Sequence, residues 1–264
     1  MNEDPVKILG LDFYSGSVQR AIEKILQGGL LMAPAAPGLA HNLNEDATYR
    51  TALQRADILL PDSGLMVLLW NRILPNGSRP IQRISGLEFL HEFLKSPITQ
   101  KALENSFWIM PNEQESIMNQ KWMENETGIN IPPSNLYIAP HYPTTGEIDD
   151  KALVEQVAQC QSSIVLINIG GGTQERLGAY LRQQLSPTPA ILCCGAAIAF
   201  LAGGQTSIPG WADKLKLGWF LRCLSNPGSY IPRYWKAKAL IPLLIKHRHK
   251  LPPLSIKSSS TNQD

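Results

Sequence analysis

The sequence predicts an α/β fold in which a doubly wound parallel sheet is flanked by helices and followed by a basic C-terminal appendage. The first observation is the continuous apolar run of residues 164–169, which is typical of a strand buried on both faces of a parallel sheet. The second is that Gly170, Gly171 and Gly172 end this run and precede apolar residues at helical spacing. The third is an uneven distribution of charge between the body and the C-terminal region.

Short apolar runs alternate with amphipathic stretches along the first 200 residues, as expected for βαβ units. The predicted strands are residues 6–9, 30–33, 57–60, 107–110, 136–139, 164–169 and 190–194. The predicted helices are residues 17–26, 39–56, 65–71, 86–93, 113–126, 149–159 and 173–185, the last with Thr173 as its N-terminal cap.

The composition is that of an ordinary globular protein. The chain has 264 residues, of which 44% are hydrophobic and 17% are charged, enough for one large domain with an appendage. We expect an α/β domain over residues 1–204, a basic aromatic appendage over 205–250 and a disordered polar tail over 251–264. The N-terminus carries no secretory pattern and no apolar run is long enough to cross a bilayer, so we expect a cytoplasmic protein.

The net charge of +2 conceals a basic C-terminal region. Residues 205–264 contain 10 Lys and Arg against two acidic residues, whereas residues 1–204 contain 14 against 20. Aromatic residues are interleaved with these cations, a mixture that suits an anionic membrane surface. Two alternatives are a nucleic-acid patch, which the acidic body disfavours, and a terminal helix pair that packs by its apolar residues.

Asp62 is the strongest candidate for chemistry, because it follows a predicted strand at the end where α/β sheets bind ligands. Its carboxylate could act as general base on a hydroxyl, or it could simply cap the helix that follows. Arg83 precedes a helix with a Ser85 to Glu88 capping-box spacing. Its guanidinium could bind a phosphate or carboxylate, or it could be an ordinary surface group.

The three glycines after the run of residues 164–169 could present backbone N–H groups to a pyrophosphate. The segment matches neither the G-x-G-x-x-G fingerprint nor the Walker A loop. A tight turn followed by an acidic first helical turn, with Gln174 and Glu175, explains it equally well. The five histidines form no HExxH or comparable metal pattern.

Four segments in order resemble the WecG/TagA/CpsF glycosyltransferases, glycosyltransferase family 26, from about residue 30 to residue 235. They are ADILLPDSGLMVLLW (56–70), RISGLEFL (83–90), NIGGGTQERL (168–177) and AAIAFLAGGQTSIPGWADKLKLGWFLRCLSNPGSYIPRYW (196–235). The resemblance implies a Rossmann-like domain that transfers a sugar from a UDP-sugar to a lipid-linked polyprenyl-diphosphate acceptor in polysaccharide synthesis. It also implies a peripheral protein at the inner face of the cell membrane that needs no metal, and it leaves both a monomer and a homo-oligomer open.

The resemblance assigns roles to particular residues of this chain. Asp62 matches the proposed general base, and Arg83 matches an arginine near the substrate. Gly170 and Gly171 would form part of the donor site, and Gln174 and Glu175 match a pair near the nucleotide. Arg222 and Arg233 match appendage arginines that would neutralise the departing diphosphate.

A second hypothesis is a catalytically impaired paralogue that binds a UDP-sugar or a partner transferase. Ala33, Ala35 and Ala199 stand where similar proteins carry polar residues, and this favours the paralogue. The presence of Asp62, Arg83, Gln174 and Arg222 favours the active enzyme.

Overall fold

The computed structural model describes residues 4–73, 78–195, 197–203, 228 and 235–255. Its centre is a six-stranded parallel sheet in the order β4-β3-β8-β7-β5-β6, and a separate antiparallel hairpin, β1-β2, precedes it. The strands are β1 (Val6–Ile8), β2 (Leu11–Phe13), β3 (Gly29–Met32), β4 (Ile58–Leu59), β5 (Phe107–Met110), β6 (Leu136–Ile138), β7 (Ile164–Ile167) and β8 (Ala190–Cys193).

Helices cover both faces of this sheet, as predicted for a Rossmann-like α/β fold. Those of the described residues are α1 (Val18–Ile25), a π-helical turn (Gly38–Asn42), α2 (Leu43–Glu45), α3 (Ala47–Gln54), α4 (Gly64–Ile73), α5 (Gly86–Lys95), α6 (Gln100–Leu103), α7 (Glu113–Thr127), a 3-10 turn (Pro133–Asn135), α8 (Lys151–Cys160), α9 (Thr173–Gln184), α10 (Ala197–Leu201) and α11 (Leu240–His247).

The core lies in two layers because successive residues of each strand point to opposite faces. In β7, Val165 and Ile167 join the layer formed with α3, α4, α8, α9 and α11. Ile164 and Leu166 join the layer formed with α1, α5, α6, α7 and α10. All four side chains of β7 are buried, which confirms the prediction of a strand covered on both faces.

Polar side chains set the start of five of the helices. In each case the side chain of the N-cap residue accepts a hydrogen bond from a backbone N–H in the first turn of the helix. These caps are Ser17 of α1, Asp46 of α3, Ser85 of α5, Asn112 of α7 and Asp150 of α8. Asp46 also breaks the single helix predicted over residues 39–56, because a capping residue takes an extended backbone, here φ −127° and ψ 108°.

The cap of α9 differs from the prediction. The prediction of Thr173 as cap is wrong: Gly172 is the N-cap, and Thr173 is the first helical residue. Gly172 has a φ of +92°, a conformation that favours glycine. The third glycine of the turn is therefore required by the backbone.

The described C-terminal residues, 235–255, pack on the α/β body. Leu240 and Leu244 of α11 are fully buried in the layer that contains α4. Residues 251–255, which the sequence places in a disordered tail, lie along the body: Arg50 Nη2 donates to the carbonyl of Pro252 at 2.6 Å, and the N–H of Ser255 donates to Asn44 at 2.7 Å. The part of the predicted appendage over 205–227 and 229–234 lies outside the described residues.

Within the part of the chain that the structure describes, no helix is both long and apolar enough to cross a membrane.

Candidate active site

The carboxyl ends of the central strands lie level with one another. Met32 of β3 pairs with Leu59 of β4 on one side and with Cys193 of β8 on the other. The loops that follow these strands therefore leave the sheet at one edge. This is the edge at which open α/β sheets bind ligands.

Asp62 lies in the loop after β4 and is held against the start of α5. Its Oδ1 accepts a hydrogen bond from the backbone N–H of Gly86, the first residue of that helix, at 3.0 Å. Ser63, the next residue, caps α4, because its Oγ accepts from the N–H of Met66 at 3.2 Å. The helix cap proposed for Asp62 is thus supplied by Ser63.

Arg83 lies beside Asp62. Its Nε donates to the backbone carbonyl of Asp62 at 2.9 Å. A Cβ on Gly64 would lie 3.8 Å from Cδ and Nε of Arg83, so the arginine also lies along the first turn of α4. Ser85 caps α5 through the N–H of Glu88 at 3.1 Å, as the capping-box spacing predicts.

The loop after β8 lies next to this group. A Cβ on Gly86 would lie 3.0 Å from Cβ of Ala33 and 3.3 Å from the carbonyl oxygen of Cys194. Burial raises the pKa of the Cys194 thiol, and the nearby charge of Asp62 raises it further. The loops after β3, β4 and β8 therefore meet at the first turn of α5.

The two residues predicted to lie near the nucleotide are buried beside the glycine turn, residues 170–172, and Glu175 bonds directly to it. Glu175 is buried; its Oε2 accepts from the N–H of Gly172 at 2.6 Å and its Oε1 from Gln174 Nε2 at 3.1 Å. Gln174 is also buried, and its Oε1 accepts from the N–H of Gly195 at 2.6 Å. Both side chains thus accept hydrogen bonds from the backbone of loops in the protein itself.

Gln174 connects the two halves of the site. Gly195 follows Cys194, which packs on the first turn of α5, where Asp62 is bound. The candidates Asp62, Arg83, Gln174 and Glu175 therefore belong to one continuous set of loops. Burial raises the pKa of Glu175 above its usual value, against the opposing effect of its hydrogen bonds and of Arg176.

Gly170 and Gly171 are exposed, and a Cβ added to either would contact no described atom within 4 Å. Their backbone is therefore accessible. A cleft of about 490 Å³ opens between this turn and the π-helical turn, and we call it the glycine-turn cleft. Its lining includes His41, Asn42 and Lys236.

The sequence does not mark His41, Asn42 or Lys236 as site residues. Lys236 belongs to the basic C-terminal stretch, and its backbone carbonyl lies 3.1 Å from Nε2 of His41. The basic composition was a signal for Lys236, but no local pattern indicated His41 or Asn42.

Arg222 and Arg233 lie outside the described residues. Among the residues that are described, no group of three or more His, Cys, Asp or Glu side chains could hold a metal ion.

The protein is thus a parallel α/β protein with a carboxylate, an arginine and an open glycine turn at the carboxyl edge of its sheet, the edge at which open α/β sheets bind ligands. The chain belongs to the WecG/TagA/CpsF family of glycosyl transferases, whose model matches residues 6–252. The resemblance of the sequence to this family is thereby confirmed.

The chain is also similar to the N-acetylglucosaminyldiphosphoundecaprenol N-acetyl-β-D-mannosaminyltransferase of Bacillus subtilis (strain 168). The two are 25% identical over 215 residues, which is 81% of this chain and 77% of the relative.

Proposed function

We propose that the protein transfers a sugar from a UDP-sugar to a lipid-linked polyprenyl-diphosphate acceptor during synthesis of a cell-surface polysaccharide. Family membership supports glycosyl transfer. The name of the Bacillus subtilis relative supports the acceptor, because that enzyme acts on a sugar linked through a diphosphate to undecaprenol. The observation that carries the proposal is the hydrogen bond that fixes Asp62 Oδ1 to the first turn of α5 at the carboxyl edge of the sheet.

In this proposal Asp62 is the general base. Its carboxylate takes the proton of the acceptor hydroxyl as the hydroxyl oxygen attacks the anomeric carbon of the donor. The bond from that carbon to the UDP oxygen breaks in the same step, so a single displacement inverts the anomeric centre. Arg83 donates to the Asp62 backbone and so holds this loop, and its guanidinium would bind a substrate oxyanion.

The leaving UDP carries the negative charge that develops in this step. Backbone N–H groups of Gly170 and Gly171 would bind its phosphates, and Arg222 and Arg233 would neutralise them. Glu175 would support the donor site by fixing the turn, since its buried carboxylate accepts from the N–H of Gly172. Gln174 would support it indirectly, since its buried amide donates to Glu175 and accepts from the N–H of Gly195. The cationic side chains would serve in place of a metal ion.

We also propose that the protein acts at the inner face of the cell membrane. Five exposed cations lie in residues 235–255: Lys236, Lys238, Lys246, Arg248 and Lys250. Trp235 is 68% exposed, and Lys238 Nζ lies 3.6 Å from the centroid of its ring. An exposed aromatic ring among cations suits the headgroup region of an anionic bilayer.

Co-sedimentation with vesicles tests this membrane contact. The protein should pellet with vesicles rich in an anionic phospholipid and remain in solution with phosphatidylcholine vesicles. Trp235→Ala should weaken the anionic binding. Equal binding to both vesicle types would contradict the proposal.

The activity is tested by measuring UDP release from a panel of UDP-sugars with a polyprenyl-diphosphate-sugar acceptor, comparing the natural chain with Asp62→Asn. Asparagine keeps an oxygen that can accept from Gly86, so the loop should keep its place. We expect turnover to fall by about 10²- to 10⁴-fold, the usual contribution of general base catalysis, while UDP binding is retained.

Asp12→Asn is the matched control, because the Asp12 side chain is 54% exposed and pairs with Lys7 on the surface hairpin. Its turnover should equal that of the natural chain. Unchanged turnover in Asp62→Asn would exclude Asp62 as base. UDP binding without turnover of any donor would favour the catalytically impaired paralogue instead.

A further inference from the structure

Arg176 is the most completely buried cation of the described chain, and the proposed chemistry does not use it. Its side chain is 0% exposed. The carboxylate beside it, Asp46 Oδ2, lies 3.6 Å from Nε, beyond an ideal charge-assisted hydrogen bond. Burying a guanidinium is costly unless its donors are satisfied, so its hydrogen bonds explain its presence.

These hydrogen bonds reach two loops at the carboxyl edge of the sheet. Nε donates to the carbonyl of Gly172 at 3.1 Å, and Nη2 lies 3.4 Å from Thr173 Oγ1, both at the glycine turn. Nη1 donates to the carbonyl of Gly146 at 2.7 Å, and Nη2 donates to that of Pro143 at 2.6 Å. The last two residues belong to the loop between β6 and α8.

Through its ion pair with Asp46, Arg176 also reaches a third segment, the one that precedes α3. Its N–H donates to the carbonyl of Asn42 at 2.9 Å, and its Oδ1 accepts from Thr48 and Tyr49 at the start of α3. This segment follows β3 and forms the wall of the glycine-turn cleft opposite Gly171 and Gly172. One guanidinium therefore connects both walls of the cleft and the loop after β6.

We propose that Arg176 is a positioning residue that holds these three loops in the arrangement in which the donor nucleotide binds, an inference that rests on the proposed function. It acts through the backbone of the glycine turn and does not touch substrate. Its planar group with five N–H donors suits three carbonyls in different directions, which a single ammonium cannot match.

Arg182, on the same helix, provides the matched control. It also pairs with an aspartate, Asp57, at 2.8 Å, but both side chains are 35% exposed and Asp57 directly precedes β4 at the amino edge. Arg176→Met and Arg182→Met thus remove the same kind of group from opposite ends of one helix. Arg176→Lys keeps the charge and some donor capacity, and it provides a milder variant if methionine prevents folding.

Amide hydrogen exchange of the full chain tests the loop arrangement without any ligand. We expect Arg176→Met to raise exchange by about tenfold or more in residues 141–149 and 170–176 together. Arg176→Lys should have a smaller effect in the same segments, and Arg182→Met should leave both within about twofold. Exchange in Arg176→Met that stays within twofold of the natural chain in either segment would overturn the proposal.

Calorimetric titration with UDP and steady-state kinetics test the consequence. Arg176→Met should weaken UDP binding and raise the donor KM by about tenfold or more, with kcat changed much less, and lysine should restore part of the affinity. A merely structural role would lower the folded fraction and leave these constants unchanged in the remaining enzyme. If Arg176→Met increases exchange but leaves the UDP affinity unchanged, the link between the loops and the donor is overturned. If the natural chain itself does not bind UDP, the proposed donor is refuted, and the exchange result alone decides whether Arg176 holds the loops.

Discussion

The carboxylate of Asp62 is bound to the backbone N–H of Gly86 at 3.0 Å, which ties the loop after β4 to the start of α5. A helix N-terminus is a natural site for an anion, so this contact orients the carboxylate. Gly86 itself is close to Ala33 and Cys194. The position of the proposed base is therefore determined by the loops that follow three neighbouring strands.

The lack of a side chain at Gly172 leads to the first prediction. A Cβ there would lie 2.7 Å from Nδ2 of Asn42, and the backbone φ of +92° is unfavourable for alanine. We expect Gly172→Ala to lower the free energy of unfolding by about 1–3 kcal/mol. Urea unfolding of the two proteins measures this difference.

Gly171→Ala is the control for this change, since a Cβ at Gly171 would meet no described atom within 4 Å. Its free energy of unfolding should stay within about 0.5 kcal/mol of the natural chain. Equal stabilities for the two alanine variants would show that neither the φ of Gly172 nor the contact with Asn42 matters.

A second prediction concerns pH. Burial raises the pKa of Glu175 above its ordinary value of 4.5. At pH values between the pKa of Glu175 in the unfolded chain and its higher pKa in the folded protein, the folded protein holds a proton that the unfolded chain lacks. The free energy of unfolding contributed by this group therefore increases as pH falls from the folded pKa to the unfolded pKa. Glu175→Gln removes the titration and keeps an oxygen to accept from Gly172.

The natural chain should therefore gain stability relative to Glu175→Gln as pH falls from 7 towards 4.5, and the difference should become constant below that value. Urea unfolding of both proteins at several pH values measures it. Parallel pH profiles would contradict the raised pKa.

The sequence predicts the central strands of the sheet well because these strands are buried. The runs that form β5, β7 and β8 are apolar throughout, and their bounds differ from the prediction by two residues at most. It does not predict β2, since the turn before it places Leu9 at a φ of +51°, where glycine or asparagine is expected. The side chain of Leu9 is 0% exposed, so packing in the core accompanies this backbone.

The positions of the candidate residues follow from the sequence where they depend on strand ends and not where they depend on distant loops. Asp62 and Arg83 lie together because a strand and a helix start bring them to one edge. Arg176 follows two predicted site residues and is polar, so the sequence alone gives no sign that it is buried. Its partners at Pro143 and Gly146 are carbonyl groups some 30 residues away, which no side-chain pattern marks.

The C-terminal helix provides the last prediction. Leu244 of α11 is fully buried against the body, whereas Ile245 beside it is 54% exposed. Truncating a buried leucine removes apolar contacts and leaves a cavity, so we expect Leu244→Ala to lower the free energy of unfolding by about 2–4 kcal/mol. Ile245→Ala should stay within about 0.5 kcal/mol. Urea unfolding measures both, and equal effects would mean that α11 is not an integral part of the α/β domain.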